Sequence, residues 1–496
     1  MRIAIVASEA IPFSKTGGLA DVAGTLFKEY LAMNHDALLF VPFYKKTAEQ
    51  FSGMIRDSGI EIDISLGNTV RTCKIFTGIM SAPTPNIYFI GNENFFFRDE
   101  LYGMPAGDYP DNDQRFAFFS KSVLEICKRL DLQIDIMHCN DWQTGLIPLY
   151  MKTLYRQVPI FKKTVSVFTI HNLGYQGLFP PHTLEITGLG AAVFNPEGIE
   201  FFGKVNFLKA GIIGADQITT VSKTYAEEIR SHEYGFGLEG VLTKRSSSIS
   251  GILNGIDYTE WDPLTDTFLD KKYDQSDLSG KQACKKQLIK KASLKNTASG
   301  PLMCFIGRLS SQKGVDLLAD AIPYLLGQGA NMVVIGKGDG RYQAMLQAVS
   351  KRFSDSLFFY REFDESFAHL TYAGSDVFLM PSRYEPCGLG QMIAMRYGTL
   401  PVARKTGGLS DTIEDDKTGF LFGEYSLPAF INAVKRAVKA FDDKKAWRKM
   451  ITDAMKKDFS WQKSAQAYIA IYQNALKING YRAYSPLSFH VVSEGI

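Results

Sequence analysis

The sequence predicts an α/β protein built from two doubly wound, Rossmann-like domains, and three observations carry that prediction. Short apolar runs rich in Val and Ile alternate with longer helical stretches along the 496-residue chain, the pattern of parallel sheets covered on both faces. A single hydrophobic core rarely grows beyond ~250–300 residues, so a chain of this length divides. The heptapeptide KTGGLAD at residues 15–21 returns as KTGGLSD at 405–411, once in each half. Each copy follows a strand and opens a helix, as expected if two similar domains each aim a glycine loop at a shared cleft.

The strand candidates of the first half are residues 2–7, 37–42, 87–90, 134–139, 165–170 and 217–221. Those of the second half are 250–253, 302–306, 332–335, 357–360, 377–380 and 401–403. The polar string Arg245-Ser246-Ser247-Ser248 precedes a new strand and marks the boundary. The domains are then 1–246 and 247–458, with a helix at 459–480 returning toward the first domain and an aperiodic tail at 481–496. Residues 266–299 are charged and lysine-rich and read as a solvated connection and helix.

Composition excludes several classes. A net charge of +3 with no dense Lys/Arg block argues against nucleic acid. The six cysteines are scattered, with no CxxC pair or Cys/His cluster. That speaks against structural zinc or a disulfide framework and for a reducing cytoplasm. The first residues enter a strand at once, without a signal or transit segment. No apolar run reaches the ~18 residues of a membrane span. Nothing in the sequence sets an oligomeric state.

Four clusters carry chemistry, each just past a strand, where α/β domains bind ligands. The first is the pair of glycine loops, with Lys15, Gly18 and Asp21 in one and Thr406, Gly407 and Gly408 in the other. Glycines there let backbone N–H groups approach an anion. The second is GRLSSQKG at 307–314, where Arg308 and Lys313 can face one diphosphate, one as a planar fork and one as a mobile charge. The third is PSRYEPCGL at 381–389, where Glu385 is held between a tyrosine and a proline and suits sugar hydroxyls or a developing positive charge. Cys387 beside it has no base nearby in sequence and reads as a small buried hydrophobe. The fourth joins His138-Cys139-Asn140-Asp141-Trp142 to Phe168-Thr169-Ile170-His171-Asn172. Asp141 and His171 then line the site, and Tyr109, Trp142 and Tyr175 offer flat faces to a sugar ring.

With these residues in place, the chain resembles the bacterial glycogen synthase and starch synthase family, retaining glucosyltransferases of GT-B architecture. The matching stretches are KTGGLADV at 15–22, DNDQRF at 111–116, HCNDWQTGL at 138–146, FTIHNLGYQG at 168–177, FLKAGI at 207–212, GILNGID at 251–257, GRLSSQKG at 307–314, PSRYEPCGL at 381–389 and KTGGLSDT at 405–412. They run in family order over nearly the whole chain. The resemblance implies ADP-glucose as donor, the non-reducing end of an α-1,4-glucan as acceptor and retention of configuration. It implies donor-site roles for Lys15, Arg308, Lys313 and Glu385 and site roles for Asp141, Trp142, His171 and Asn254. Two positions depart. Gly390 stands where the family usually has Thr or a bulkier residue, which predicts a slightly roomier or more mobile helix start. Ile393 stands where related GT-B enzymes often carry a second glutamate.

On this reading Arg308, Lys313 and the 406–408 amides stabilise the leaving diphosphate, with no metal cofactor. The acceptor groups Tyr109, Trp142 and His171 lie in the first half and the donor groups mainly in the second, so substrate would close a cleft. A GT-B transferase using another nucleotide sugar such as UDP-glucose is the alternative. Two other classes fit less well. The loop at 336–341, GKGDGR, mimics a dinucleotide fingerprint, but Arg341 occupies its third glycine position. The string Asp111-Asn112-Asp113 resembles a metal-binding DxD but follows no convincing strand. A glucan-binding protein without activity would not need the cationic cluster.

Overall fold

The computed structural model describes residues 1–104, 107–295, 300–362 and 364–482. The chain forms two compact units. One comprises Met1–Thr220, Ile229–Ile252 and the chain from Ser464 onward, and the other comprises Val221–Glu228 and Leu253–Lys463.

The first unit is built on a nine-stranded sheet in the order Ile249–Gly251, Gln217–Thr220, Val165–Ile170, Ile136–Asn140, Arg2–Val6, Asp36–Pro42, Ile87–Gly91, Thr69–Gly78, Arg56–Leu66. Pairing is parallel as far as Ile87–Gly91. The six expected strands are all present, and most of them are apolar stretches with both faces covered. The last two strands pair antiparallel and alternate exposed with buried residues. One face of this hairpin is in water, so its apolar signal is diluted by Asp57, Glu61, Asp63 and Lys74.

The strand expected to open the second domain is instead the edge of the first sheet: Ile249–Gly251 pairs parallel with Gln217–Thr220. The polar string before it is no linker. Ser246–Ser248 form a single 3-10 turn. The Arg245 guanidinium donates to the carbonyls of Ile212, Ile213 and Ala215, closing the end of helix Phe207–Gly214. A helix does follow residue 459, spanning Trp461–Arg482. Its Tyr472 hydroxyl lies 2.9 Å from the Tyr30 hydroxyl and 2.7 Å from His138 Nδ1, all buried. The tail expected from 481 lies, from residue 483, outside the described residues.

The second unit holds a six-stranded parallel sheet in the order Leu357–Tyr360, Asn331–Ile335, Leu302–Ile306, Val377–Met380, Leu400–Arg404, Phe420–Phe422. The lysine-rich stretch expected to be solvated does form a helix, Ser279–Lys291. Its first turn is anchored in the core, however. Lys281 is buried, and its Nζ donates to the carbonyls of Ala373, Ser375 and Tyr397 and to the Thr399 hydroxyl at 2.8–3.0 Å. Asp266 is buried as well, accepting from the Tyr397 hydroxyl at 2.5 Å and lying 2.7 Å from Nδ1 of His369, which stacks on Trp261. Only a fixed partner set explains charged groups at such depth. Residues 296–299 of this stretch lie outside the described residues.

Candidate functional site

In the first unit the strands Arg2–Val6, Ile136–Asn140 and Val165–Ile170 lie side by side and end together. Asp141 follows the middle one with φ of +55°, a conformation that costs a non-glycine residue energy and clusters at functional sites. Its Oδ1 accepts the His171 amide at 2.8 Å. Burial pushes the Asp141 carboxyl up to about 7 against the amides of His171 and Asn172. The same burial lowers His171 to about 3, so the ring is neutral at physiological pH. His171 Nε2 lies 3.0 Å from Asn140 Oδ1, whose amide nitrogen donates to Val6 O. That fixes Nε2–H as donor and leaves Nδ1 as acceptor.

Glu9 was not found by sequence. It follows the first strand, is buried, and accepts from the amide and hydroxyl of Thr16 in the first glycine loop. Burial raises its carboxyl to about 7. In the same loop Lys15 is exposed and pairs with Asp21 at 2.7 Å, and Gly18 opens helix Gly18–Ala32. The expected sugar platforms are partly occupied. The Tyr109 ring carries the guanidinium groups of Arg98 and Arg115 at 4.6 and 5.0 Å. The Trp142 indole packs against Phe116 and Phe179, and a Cβ on Gly177 would run into it. Tyr175 remains exposed. The DxD string starts helix Asn112–Arg129. Asp111 takes both NH groups of Arg98 at 2.5–2.8 Å, and Asp113 accepts the Thr183 hydroxyl at 2.7 Å.

The raised carboxyl of Asp141 gives a stability prediction. Between its ordinary pKa near 4 and its folded value near 7 the native state binds the extra proton, so stability falls as pH rises through that window. Asp141→Asn keeps the oxygen that accepts the His171 amide and removes the buried charge. Its thermal midpoint at pH 8 should exceed that of the native chain, by roughly 2–4 °C per kcal/mol recovered, and the gap should close at pH 4. Calorimetry at the two pH values checks this. An equal gap at both would show that the carboxylate is not the cause.

In the second unit the loop after Leu302–Ile306 is braced by the loop at 336–341. Leu309 N donates to Lys337 O at 2.9 Å and Asp339 N to Leu309 O at 2.8 Å. A Cβ on Gly336 or Gly338 would meet Gly307 or Leu309. The glycines of the dinucleotide mimic thus serve loop-to-loop packing. Gly314 (φ +68°) closes the braced loop against the Pro381 carbonyl. Lys313 Nζ is thereby set 2.5 Å from Glu385 Oε2. Glu385 is buried and also accepts from the Ser382 hydroxyl at 3.2 Å. Arg308, on the same loop, is exposed. Asn254 is buried near Cys387, and its Oδ1 has no hydrogen-bond partner among the described residues. Burial pushes the Cys387 thiol up to about 12, which removes it as a nucleophile.

Two expectations change here. The helix Gly390–Arg396 does not begin in open space, because a Cβ at Gly390 would meet the Phe378 ring at 3.0 Å and the Tyr372 hydroxyl at 3.3 Å. Aromatic rings from neighbouring elements fill the missing side chain's volume. Two of the three amides expected to bind phosphate in the second glycine loop, those of Gly407 and Gly408, are engaged within the protein. The Thr406 hydroxyl and Gly407 amide donate to the Glu228 carboxylate at 2.9–3.0 Å, and the Gly408 amide donates to the carbonyls of Glu385 and Pro386. Glu228, like Glu9, was not found by sequence.

Residues 2–244 match the family model described as the starch synthase catalytic domain, and residues 286–456 match glycosyl transferases group 1. The chain is 48% identical to a glycogen synthase of Thermodesulfovibrio yellowstonii, over 96% of this chain and 98% of that one. It is 44% identical to a glycogen synthase of Geotalea daltonii, over 97% and 100% of the two chains. Among solved structures, the catalytic domain of starch synthase IV from Arabidopsis thaliana, bound to ADP and acarbose, superposes with a TM-score of 0.87 at 34% identity, covering 96% of this chain and 99% of that one. A sucrose-phosphate synthase from Thermosynechococcus elongatus shares the fold alone, at a TM-score of 0.59 and 16% identity over 96% and 99% of the chains. Two parallel-sheet units with these sites at their strand ends are the GT-B arrangement, and the chain belongs to the glycogen synthase and starch synthase family of glycosyltransferases.

Proposed function

We propose that the enzyme transfers glucose from ADP-glucose to the non-reducing end of an α-1,4-glucan with retention of configuration. The observation that supports this most is the Lys313–Glu385 pair, a buried carboxylate holding an ammonium group on the same loop as Arg308. When the bond from glucose C1 to the diphosphate breaks, negative charge grows on the leaving oxygen, and Lys313 and Arg308 offset it. Glu385 fixes Lys313 and faces the sugar. The acceptor hydroxyl forms the new bond to C1 on the same face, and its proton passes to the departing diphosphate. Neutral His171 offers Nδ1 to a sugar hydroxyl, with Asp141 setting its backbone. The bound ADP and acarbose of the plant starch synthase are the chemistry this reading carries over.

The donor base is tested by incubating the protein with glycogen and labelled ADP-glucose or UDP-glucose. Incorporation from ADP-glucose should dominate in direct competition. Preferential incorporation from UDP-glucose would assign the other nucleotide.

The reading needs no metal, since two side chains supply the cationic charge that a metal supplies in DxD enzymes. Asp111 and Asp113 already accept from Arg98 and Thr183. Activity should therefore persist unchanged in EDTA. Loss on chelation, restored by Mg²⁺ or Mn²⁺, would point back to the two aspartates. A cytoplasmic location belongs to the same reading: all six cysteines are buried and free, which suits a reducing compartment. Among the described residues no helix is long and apolar enough to cross a membrane.

A further inference from the structure

The repeated KTGGL loops share a feature that their sequence does not carry. Each is seated on a carboxylate from outside the motif. Glu9 accepts from the amide and hydroxyl of Thr16. Glu228 accepts from the hydroxyl of Thr406 and the amide of Gly407. Gly407 has φ of +43°, and a Cβ there would run into the Glu385 carbonyl. The Gly408 amide donates to that carbonyl at 3.1 Å and to Pro386 O at 3.2 Å. A Cβ on Gly408 would run into Cys387 O. The glycine loop therefore lies flush against the backbone of the segment that carries Glu385.

Glu228 belongs to the short segment Val221–Glu228, which joins the second unit although its neighbours in sequence lie in the first. Two further groups of this segment reach the same place. The Ser222 hydroxyl donates to Pro386 O at 2.5 Å. The Thr224 amide and hydroxyl donate to Asp411 at 3.0 and 2.6 Å, and Asp411 is the last residue of the repeated heptapeptide. One segment thus holds both the glycine loop and the backbone carbonyl of Pro386, next to Glu385.

We propose that Glu228 is a positioning residue for nucleotide-sugar binding and transfer, acting through Gly407 and Gly408 on the backbone of Glu385 and hence on the Lys313–Glu385 pair. This rests on the reading of that pair given under the proposed function. The carboxylate is the working form, because it takes three hydrogen bonds from the loop, two of them from one amide. Among the charged groups near it, Arg404 favours the anion and Asp411 opposes it. Burial raises the carboxyl above its ordinary range, so the anion is lost earlier on acidification than at an exposed glutamate.

The test compares Glu228→Ala and Glu228→Gln with the native enzyme in three readouts. These are kcat/KM for the nucleotide sugar, ADP affinity by calorimetry, and the pH profile. Small displacements at a reacting centre from a remote change cost up to ~100-fold. Glu228→Ala should lower kcat/KM for the donor and weaken ADP by about tenfold or more, while KM for glycogen stays within about twofold. Glu228→Gln keeps one acceptor oxygen and should recover most of the activity at neutral pH, with the acid limb of the profile flattened. An Ala variant that folds and keeps native donor kcat/KM and ADP affinity overturns the proposal. So does a Gln variant with the native acid limb. A loss confined to thermal stability, with both donor readouts unchanged, also overturns it. A native chain that transfers nothing from either nucleotide sugar counts against the proposed function and is seen before any variant is compared. ADP calorimetry then still decides the positioning role.

Discussion

Lys313→Ala is expected to lower kcat by 10²–10³-fold with both substrates saturating. Two losses combine. The leaving diphosphate loses a cation that acts where charge develops, and removing one such donor costs ~2.7–4 kcal/mol. Glu385, buried and paired with Lys313 at 2.5 Å, keeps only the Ser382 hydroxyl of its two side-chain partners. Its charge then faces the sugar uncompensated. Lys313→Arg should not restore the rate, because a planar fork cannot replace a point charge held by a carboxylate at this spacing. Initial rates at saturating ADP-glucose and glycogen, with circular dichroism to confirm folding, measure the effect. A rate within tenfold of native would refute the assignment.

The second large effect concerns stability. Lys281→Met should destabilise the second unit by about 3 kcal/mol, since it removes a charged donor from four acceptors in a buried site. The methionine fills much of the volume, so packing is not the main term. Lys286→Met on the same helix is exposed and should stay within about 0.5 kcal/mol. Urea unfolding followed by a probe in the second unit distinguishes the two. Equal effects would mean that the helix as a whole, and not the Lys281 ammonium, is the anchor.

The lysines show where sequence stops being informative. Lys281, Lys286 and Lys290 look alike on paper. Only the tertiary partners of Lys281, about 92 to 118 residues away in the chain, turn it into a core residue. The parallel strands were legible because being buried on both faces favours an unbroken apolar run, as at Leu302–Ile306. The hairpin Arg56–Leu66 and Thr69–Gly78 was not, since a half-solvated sheet tolerates charges at every second position. The site divides in the same way. Arg308, Lys313, Glu385, Asp141 and His171 announce themselves as polar residues in the segments that follow strands. Glu9 and Glu228 do not, because what identifies them is a partner. Glu228 lies 178 residues from Thr406 and sits within an ordinary helical stretch, Lys223–Glu228. Gly390 taught the converse, since a missing side chain in the sequence became a filled space once Phe378 and Tyr372 folded over it.

The hairpin that escaped sequence reading also governs how the molecule behaves in crowded solution. An open sheet has two edges, and each is a template on which a foreign strand can add. At one edge Ile249–Gly251 offers three residues, too few to hold a newcomer. At the other, Arg56–Leu66 is long enough, but Arg56, Asp57, Glu61 and Asp63 point into water along it, and its ladder shifts register between Asp57 and Ile60. Mixed charge and a kinked ladder together repel a flat incoming strand. The first sheet therefore carries its own protection against edge-to-edge aggregation, and replacing those four residues with Thr or Val would remove it without touching either candidate site.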